Sequence, residues 1–100
     1  MKKEMLSALA KSGEMTDFIV GECVFIRTIT YHHTGRVVAE TPLFVVLEDA
    51  AWIADSARWA DTIAKGDLTE VEPVNVPVRV AKASIVDVTP WLHPLTRTQK

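Results

Sequence analysis

The chain predicts a mainly β domain with short helices, in which a few antiparallel strands close into a small barrel. Three observations carry that expectation. Between Gly35 and Ala50 a glycine opens two short apolar runs, 36–40 and 43–47, separated by Pro42, which suits a turn but would remove a ladder donor inside a central strand. From Val74 to Val80, valines at every second position alternate with Asn75, Pro77 and Arg79, the period of a half-buried strand. With 100 residues there is one core's worth of chain, and short loops between neighbouring strands favour closure, which hides strand edges.

The elements follow in order within a single domain, 1–100. In 1–13, Met5, Leu6 and Leu9 with Ala8 and Ala10 share one side at helical spacing, and Gly13 stands where a C-terminal cap belongs, so an N-terminal helix is expected. Three strands are expected within 18–50. In the first, Cys23, Phe25, Ile29 and Tyr31 share one face and Val24 and Ile26 the other; His32 to Gly35 reads as the turn that follows. An inserted helix is expected over 55–66, with Asp55 as N-cap, Trp59 and Ile63 on one face, Lys65 in the last turn and Gly66 as the stop. Residues 67–73 read as an acidic connector ending at Pro73. The fourth and fifth strands are expected within 74–88 around the short connection Ala81-Lys82-Ala83, with Pro77 favouring an edge position. In the tail, 89–100, the first half is expected to pack and the last residues are not.

Composition narrows the function classes. The formal charge of −2 gives no global positive field for a phosphate backbone, so nucleic-acid binding would need a local patch. One cysteine, Cys23, cannot form an internal disulfide, and no apolar run approaches the roughly 20 residues of a membrane helix. The expectation is a soluble, cytoplasmic protein without a membrane partner. A hydrophobic fraction of 48% is high for so short a chain, which points to apolar surface shared with a second subunit.

The order of elements, together with two segments, resembles the Sm-like proteins, including the bacterial Hfq type. The first segment runs from Gly35-Arg36-Val37-Val38-Ala39 to Val45-Val46-Leu47-Glu48-Asp49-Ala50; the second is Val78 to Val88. The resemblance implies a strongly bent five-stranded Sm-like (SH3-like) barrel with an N-terminal helix, here with an extra helix between strands three and four. It also implies a homo-oligomeric ring whose seam pairs strand four of one subunit with strand five of the next, placing Val76, Val78, Val80, Ile85, Val86 and Val88 at the interface. The chain departs from the family's base pocket: the loop Glu40-Thr41-Pro42-Leu43-Phe44 has no asparagine, and Ala81-Lys82-Ala83 stands where an arginine-glycine pair is usual. The stretch 47–55 also looks like small proteins carried by bacteriophages, which would place the chain in a host cytoplasm.

No catalytic or metal-binding pattern emerges. His32 and His33 are adjacent, so in extended chain they point to opposite faces and do not share a metal; His93 stands apart in the tail. Cys23 lacks a local signature for a nucleophile and reads as a small apolar residue, and Glu48, Asp49, Asp55 and Asp61 read as capping or solvated carboxylates. No cofactor is expected. The one constellation with binding chemistry is Arg27, Tyr31, His32, Arg36 and Lys82, a basic and aromatic rim able to stack bases and neutralise phosphates if the fold gathers it. The sequence therefore leads to a non-catalytic oligomeric ring that binds single-stranded RNA or DNA, or alternatively to a phage structural or assembly module without nucleic acid.

Overall fold

The computed structural model describes residues 18–100, and the expected N-terminal helix over 1–13 lies outside them. The described chain is mainly β: an open antiparallel sheet of six strands with one α-helix. In chain order these are β1 (Cys23–Thr28), β2 (His32–Glu40), β3 (Phe44–Asp55), α1 (Trp59–Lys65), β4 (Glu70–Pro73), β5 (Val78–Ala81), a 3-10 turn (Lys82–Ser84) and β6 (Ile85–Pro90). The order across the sheet is β4-β3-β2-β1-β6, with β5 also pairing β3.

The centre of this arrangement is β3, whose second edge is shared. Its first residues, Phe44 to Leu47, pair β5, and its last, Ala51 to Asp55, pair β4. Between them β3 bends. The β2–β3 register jumps from Thr34↔Ala51 to Arg36↔Glu48, so Gly35 stands alone on β2 against Asp49 and Ala50, a bulge that kinks the longer strand. Asp49 adopts the left-handed φ of 50° that this geometry requires, and aspartate tolerates it better than most side chains. Gly35 is required by contact: a Cβ there would sit 2.9 Å from Leu47 Cβ and 3.4 Å from Ala50 Cα.

Both faces of the sheet bury apolar side chains. Val24, Ile26, Val37, Val45, Leu47, Ala50 and Val80, with Phe18, form one cluster, against which Val78 and Ile85 pack. Phe25, Ala51, Ile53 and Val71 form the other on the opposite face, covered by Leu68, Trp91, Trp59 and Leu95 from α1, its exit loop and the C-terminal segment. The alternation of Cys23 and Phe25 with Val24 and Ile26 was a correct guide to the two faces; Ile29 and Tyr31 fall beyond β1 in the turn. This second core gives the 48% hydrophobic content an intramolecular use, so that composition alone does not demand a partner.

Several expected boundaries move, each for a local reason. His32 and His33 open β2, because the turn is made earlier: Thr28 N donates to Tyr31 O and Tyr31 N donates to the Thr28 hydroxyl. β3 continues past Ala50 to Asp55, since β4 supplies it with a partner that the acidic stretch 67–73 had not suggested; Asp55 pairs Glu70. Asp55 is consequently not the N-cap. Its carboxylate accepts from Ala57 N, and α1 begins after Arg58, which contributes no side-chain cap. The buried position of α1 is Thr62, with Trp59 half-buried one turn before it; the Thr62 hydroxyl donates to Ser56 O. Gly66 does end the helix, at φ 76°, and its bare Cα lies where any Cβ would meet the His93 ring at 2.8 Å.

The valine alternation over 74–80 proves only half strand. Val74 N donates to Ala50 O and so spans the joint in β3, Pro77 offers no N–H, and β5 starts at Val78. The first half of the tail packs through Trp91 and Leu95, as expected, while residues 97–100 stay exposed but are held by hydrogen bonds. Trp91 is buried, His93 Nε2 lies 2.8 Å from Ile63 O, Arg97 Nη1 donates to Ala50 O at 2.9 Å, and Lys100 exchanges two backbone hydrogen bonds with Val71.

Candidate functional site

The five residues singled out for nucleic-acid contact occupy three places in the fold. Arg27, Tyr31 and His32 lie together around the β1–β2 turn, where Arg27 pairs His32 in register. Arg36 is four residues further along β2, at the bend, and Lys82 opens the 3-10 turn beside Glu40 at the far end of β2. A strand advances about 3.3 Å per residue, so β2 separates His32 from Glu40 by roughly 25 Å, and the set is not one patch.

Each of the three cations faces a carboxylate of its own chain. Arg27 Nε donates to Asp87 Oδ1 at 2.8 Å and Nη2 donates to Oδ2, a two-bond pair across β1 and β6; its guanidinium also lies 4.4 Å from the centroid of the Trp59 ring. Arg36 donates to Asp49 at 2.6 Å and to Glu48 at 3.3 Å, tying β2 to the bend of β3. Lys82 Nζ donates to Glu40 in a half-buried pair. The hydrogen bond from Arg27 holds the Asp87 carboxyl below the usual carboxylate range, against the opposing pull of desolvation, and Arg36 does the same for Asp49. A phosphate would have to displace these carboxylates before it could bind.

The aromatic part of the rim is better exposed. Tyr31 is 51% exposed and meets the half-buried Trp52 edge-on, with centroids 4.7 Å apart. Across the strand His32 faces the second core, 5.8 Å from the Phe25 ring, and its Nδ1 is buried without a hydrogen-bond partner among the described residues. His33 points to the other face, opposite Trp52 and Ile26. The opposed orientation expected of adjacent histidines holds, and among the described residues no three histidine, cysteine or acidic side chains are grouped as a metal site. Cys23 is half-buried beside the second core, with no histidine paired to it in register.

Burial, and then the neighbouring His32, lowers the pKa of His33 below 6.5. Above about pH 6.5 the folded and unfolded chains both carry neutral His33 and its contribution is constant. As pH falls from there toward the lowered folded value, the unfolded chain takes up a proton that the folded one resists, so stability declines by at most about 1.4 kcal/mol per pH unit. Urea midpoints between pH 7.5 and pH 5 should therefore fall more steeply for the native chain than for His33→Gln. Parallel curves would remove His33 as the cause.

The expected seam residues divide by environment. Val80 is 4% exposed and belongs to the core, while Val78 and Ile85 pack partly against it. Val76, Val86 and Val88 are 62%, 63% and 38% exposed. Among the described residues β5 pairs only β3 and β6 only β1, so each keeps an open edge, and the two strands do not pair with each other.

One cluster escaped the sequence reading. At the bend of β3, Glu48, Asp49, Asn75 and Arg97 line a cleft with Val74, Val76 and Pro77. Arg97 lies 47 residues from the Ala50 carbonyl it bonds, and only the docking of the tail brings them together. No helix among the described residues is long and apolar enough to cross a membrane. Comparison of the chain with protein-family models and with curated proteins finds no match. The class of protein is therefore defined by the fold alone, a mainly β domain built on an open six-stranded antiparallel sheet.

Proposed function

We propose that the chain is a non-catalytic assembly module of Sm-like type, a strongly bent small barrel that associates with copies of itself into a ring through the open edges of β5 and β6. The observation that supports this most is the contrast between two of the sheet's outer strands, β4 and β6. β4 carries exposed Glu70 and Glu72, ends at Pro73 and has Lys100 bonded along its edge, the usual protections against unwanted pairing. β6 also ends at a proline, Pro90, but its one charge, Asp87, is paired with Arg27, and its exposed positions present Val86 and Val88. Strand addition between β5 of one copy and β6 of the next would satisfy both edges with backbone hydrogen bonds, and such a head-to-tail contact closes when its rotation permits. The path β5, 3-10 turn, β6, with β5 on β3 and β6 on β1, suits a barrel of this kind. A bacteriophage origin and a place in a host cytoplasm belong to the same reading.

A second reading, single-stranded nucleic acid held on that assembly, has one observation in its favour: the exposed Tyr31 beside Trp52, a surface on which a base can stack. The carboxylates opposite Arg27, Arg36 and Lys82 weigh against it, and so the assembly role is preferred.

Native mass spectrometry and sedimentation at tens of micromolar test the proposal. The native chain should form one closed oligomer, and Val86→Lys with Val88→Lys should return it to monomer with an unchanged β spectrum, because two like charges on one edge resist pairing. A monomeric native chain sinks the assembly role. Anisotropy with short U-rich and A-rich oligonucleotides at low salt decides the second reading.

A further inference from the structure

The outer edge of β4 is met at Val71 by the chain's own Lys100, and residues 95–99 lead to it across the neighbouring surface. Lys100 N donates to Val71 O at 3.0 Å and Val71 N donates to Lys100 O at 3.1 Å, the two-way exchange of an antiparallel strand pair. Val71 is flanked by exposed Glu70 and Glu72, and Glu72 accepts from Gln99 Nε2 at 2.8 Å. Two residues earlier, Arg97 reaches the Ala50 and Val74 carbonyls at 2.9 and 3.1 Å in the cleft lined by Glu48 and Asp49, and its charge helps hold the Asp49 carboxyl low. Leu95 packs against the second core. The occupant is thus a segment without secondary structure of its own that carries an aliphatic anchor and two cations; the surface beneath it carries four carboxylates, the Val71 N–H and C=O and the carbonyls of Ala50 and Val74.

We infer that the β4 edge, with the cleft at the bend of β3, is a strand-accepting groove for a basic extended chain segment. Residues 95–100 fill it from within, and the same segment of a second copy fills it when the internal one is released. The groove is separate from the β5 and β6 edges, so it stands or falls independently of the assembly proposal. Recognition combines main-chain pairing at Val71, the Leu95 site and charge complementarity between Arg97 and Lys100 and the acidic surface.

The probe is a fluorescein-labelled peptide with the sequence of residues 94–100, Pro-Leu-Thr-Arg-Thr-Gln-Lys, standing for the segment of a second copy. It is titrated by anisotropy into the full chain and into Arg97→Gln and Lys100→Pro, which remove in turn the cleft anchor and the donor to Val71 O. Hydrogen exchange of the Val71 amide reports whether the internal segment has been released, and the near-UV circular dichroism of the three tryptophans reports that the core is intact. Both variants should expose the Val71 amide and bind the peptide at least ten-fold more tightly than the native chain, with affinity falling as salt rises. Equal binding by the native chain and the variants overturns competition by the internal segment. A released Val71 amide without peptide binding overturns the groove, and so does a Val71 amide that stays protected in both variants.

Discussion

Phe25→Ala should be the most damaging single truncation in the described chain, lowering stability by about 3–5 kcal/mol. Phe25 is fully buried in the face of the sheet that carries α1 and the tail. Its ring lies 5.1 Å from Trp59, 5.6 Å from Trp91 and 5.8 Å from His32, so one side chain joins the helix, the tail and the β1–β2 hairpin. A methyl in its place leaves a void between rigid rings that cannot close without moving α1, and the aromatic contacts, worth about 0.5–1.5 kcal/mol each, are lost together with the buried area. The damage should be uneven. The Gly66 amide, which donates to Thr62 O, and the Trp91 amide, which donates to Cys23 O, should lose exchange protection before the amides of the β2–β3 ladder, because the first core on the opposite face is untouched. Tryptophan emission should shift to the red as Trp59 and Trp91 meet water. Denaturation giving a loss under 1 kcal/mol, or equal loss of protection on both faces, would show that the second core is not a distinct supporting unit.

That second core also marks where the sequence was legible and where it was not. β1 and the first half of β3 were visible because apolar residues outnumber what one face can take, and the glycine at 66 announced the end of α1 through a conformation that few other residues adopt. The positions of β4 and of the last residues could not be read in the same way. Glu70-Val71-Glu72-Pro73 has one apolar residue, and its pairing depends on β3 running five residues beyond Ala50 to offer an edge. Likewise Arg97 is an ordinary tail cation until Ala50 and Val74 turn their carbonyls toward it. Local pattern reports which face of a segment is buried; it is silent on which distant segment does the burying.

The candidate site shows the same division more sharply. Residue type identified Arg27, Tyr31, His32, Arg36 and Lys82 as capable of binding a nucleotide, and types are indeed what a sequence displays. What each cation meets is set by register: β1 against β6 brings Asp87 to Arg27, β2 against the bulge in β3 brings Glu48 and Asp49 to Arg36, and the return of the 3-10 turn brings Lys82 to Glu40. A chain with a net charge of −2 has enough carboxylates to occupy its cations, and this fold pairs these three. The same pairs also tie β1 to β6 and β2 to β3, so their charges contribute to holding strands in place.

Gly35→Ala should cost about 1–3 kcal/mol, which for a chain of this size corresponds to a fall in Tm of very roughly 5–20 °C. The backbone at Gly35 is not left-handed, so the effect does not come from φ. It comes from space: the new methyl would stand 2.9 Å from Leu47 Cβ and 3.2 Å from Leu47 Cδ1, and a Cβ, fixed to its own backbone, cannot swing aside as a flexible tip could. Relief requires β2 and β3 to separate at the bulge, where Asp49 already holds an uncommon conformation and Arg36 pins the carboxylates of Glu48 and Asp49 across the gap. Strain at this point should therefore reach both partners of β3, since β4 and β5 pair on either side of the bend. A double-mutant cycle isolates the cause. Leu47→Gly, which deletes both Cβ and Cδ1, alone leaves a cavity and is destabilising, yet in combination with Gly35→Ala it removes the clash, so the pair should cost at least 1 kcal/mol less than the sum of the two. Simple additivity would mean that the glycine is kept for some reason other than the close approach of Leu47.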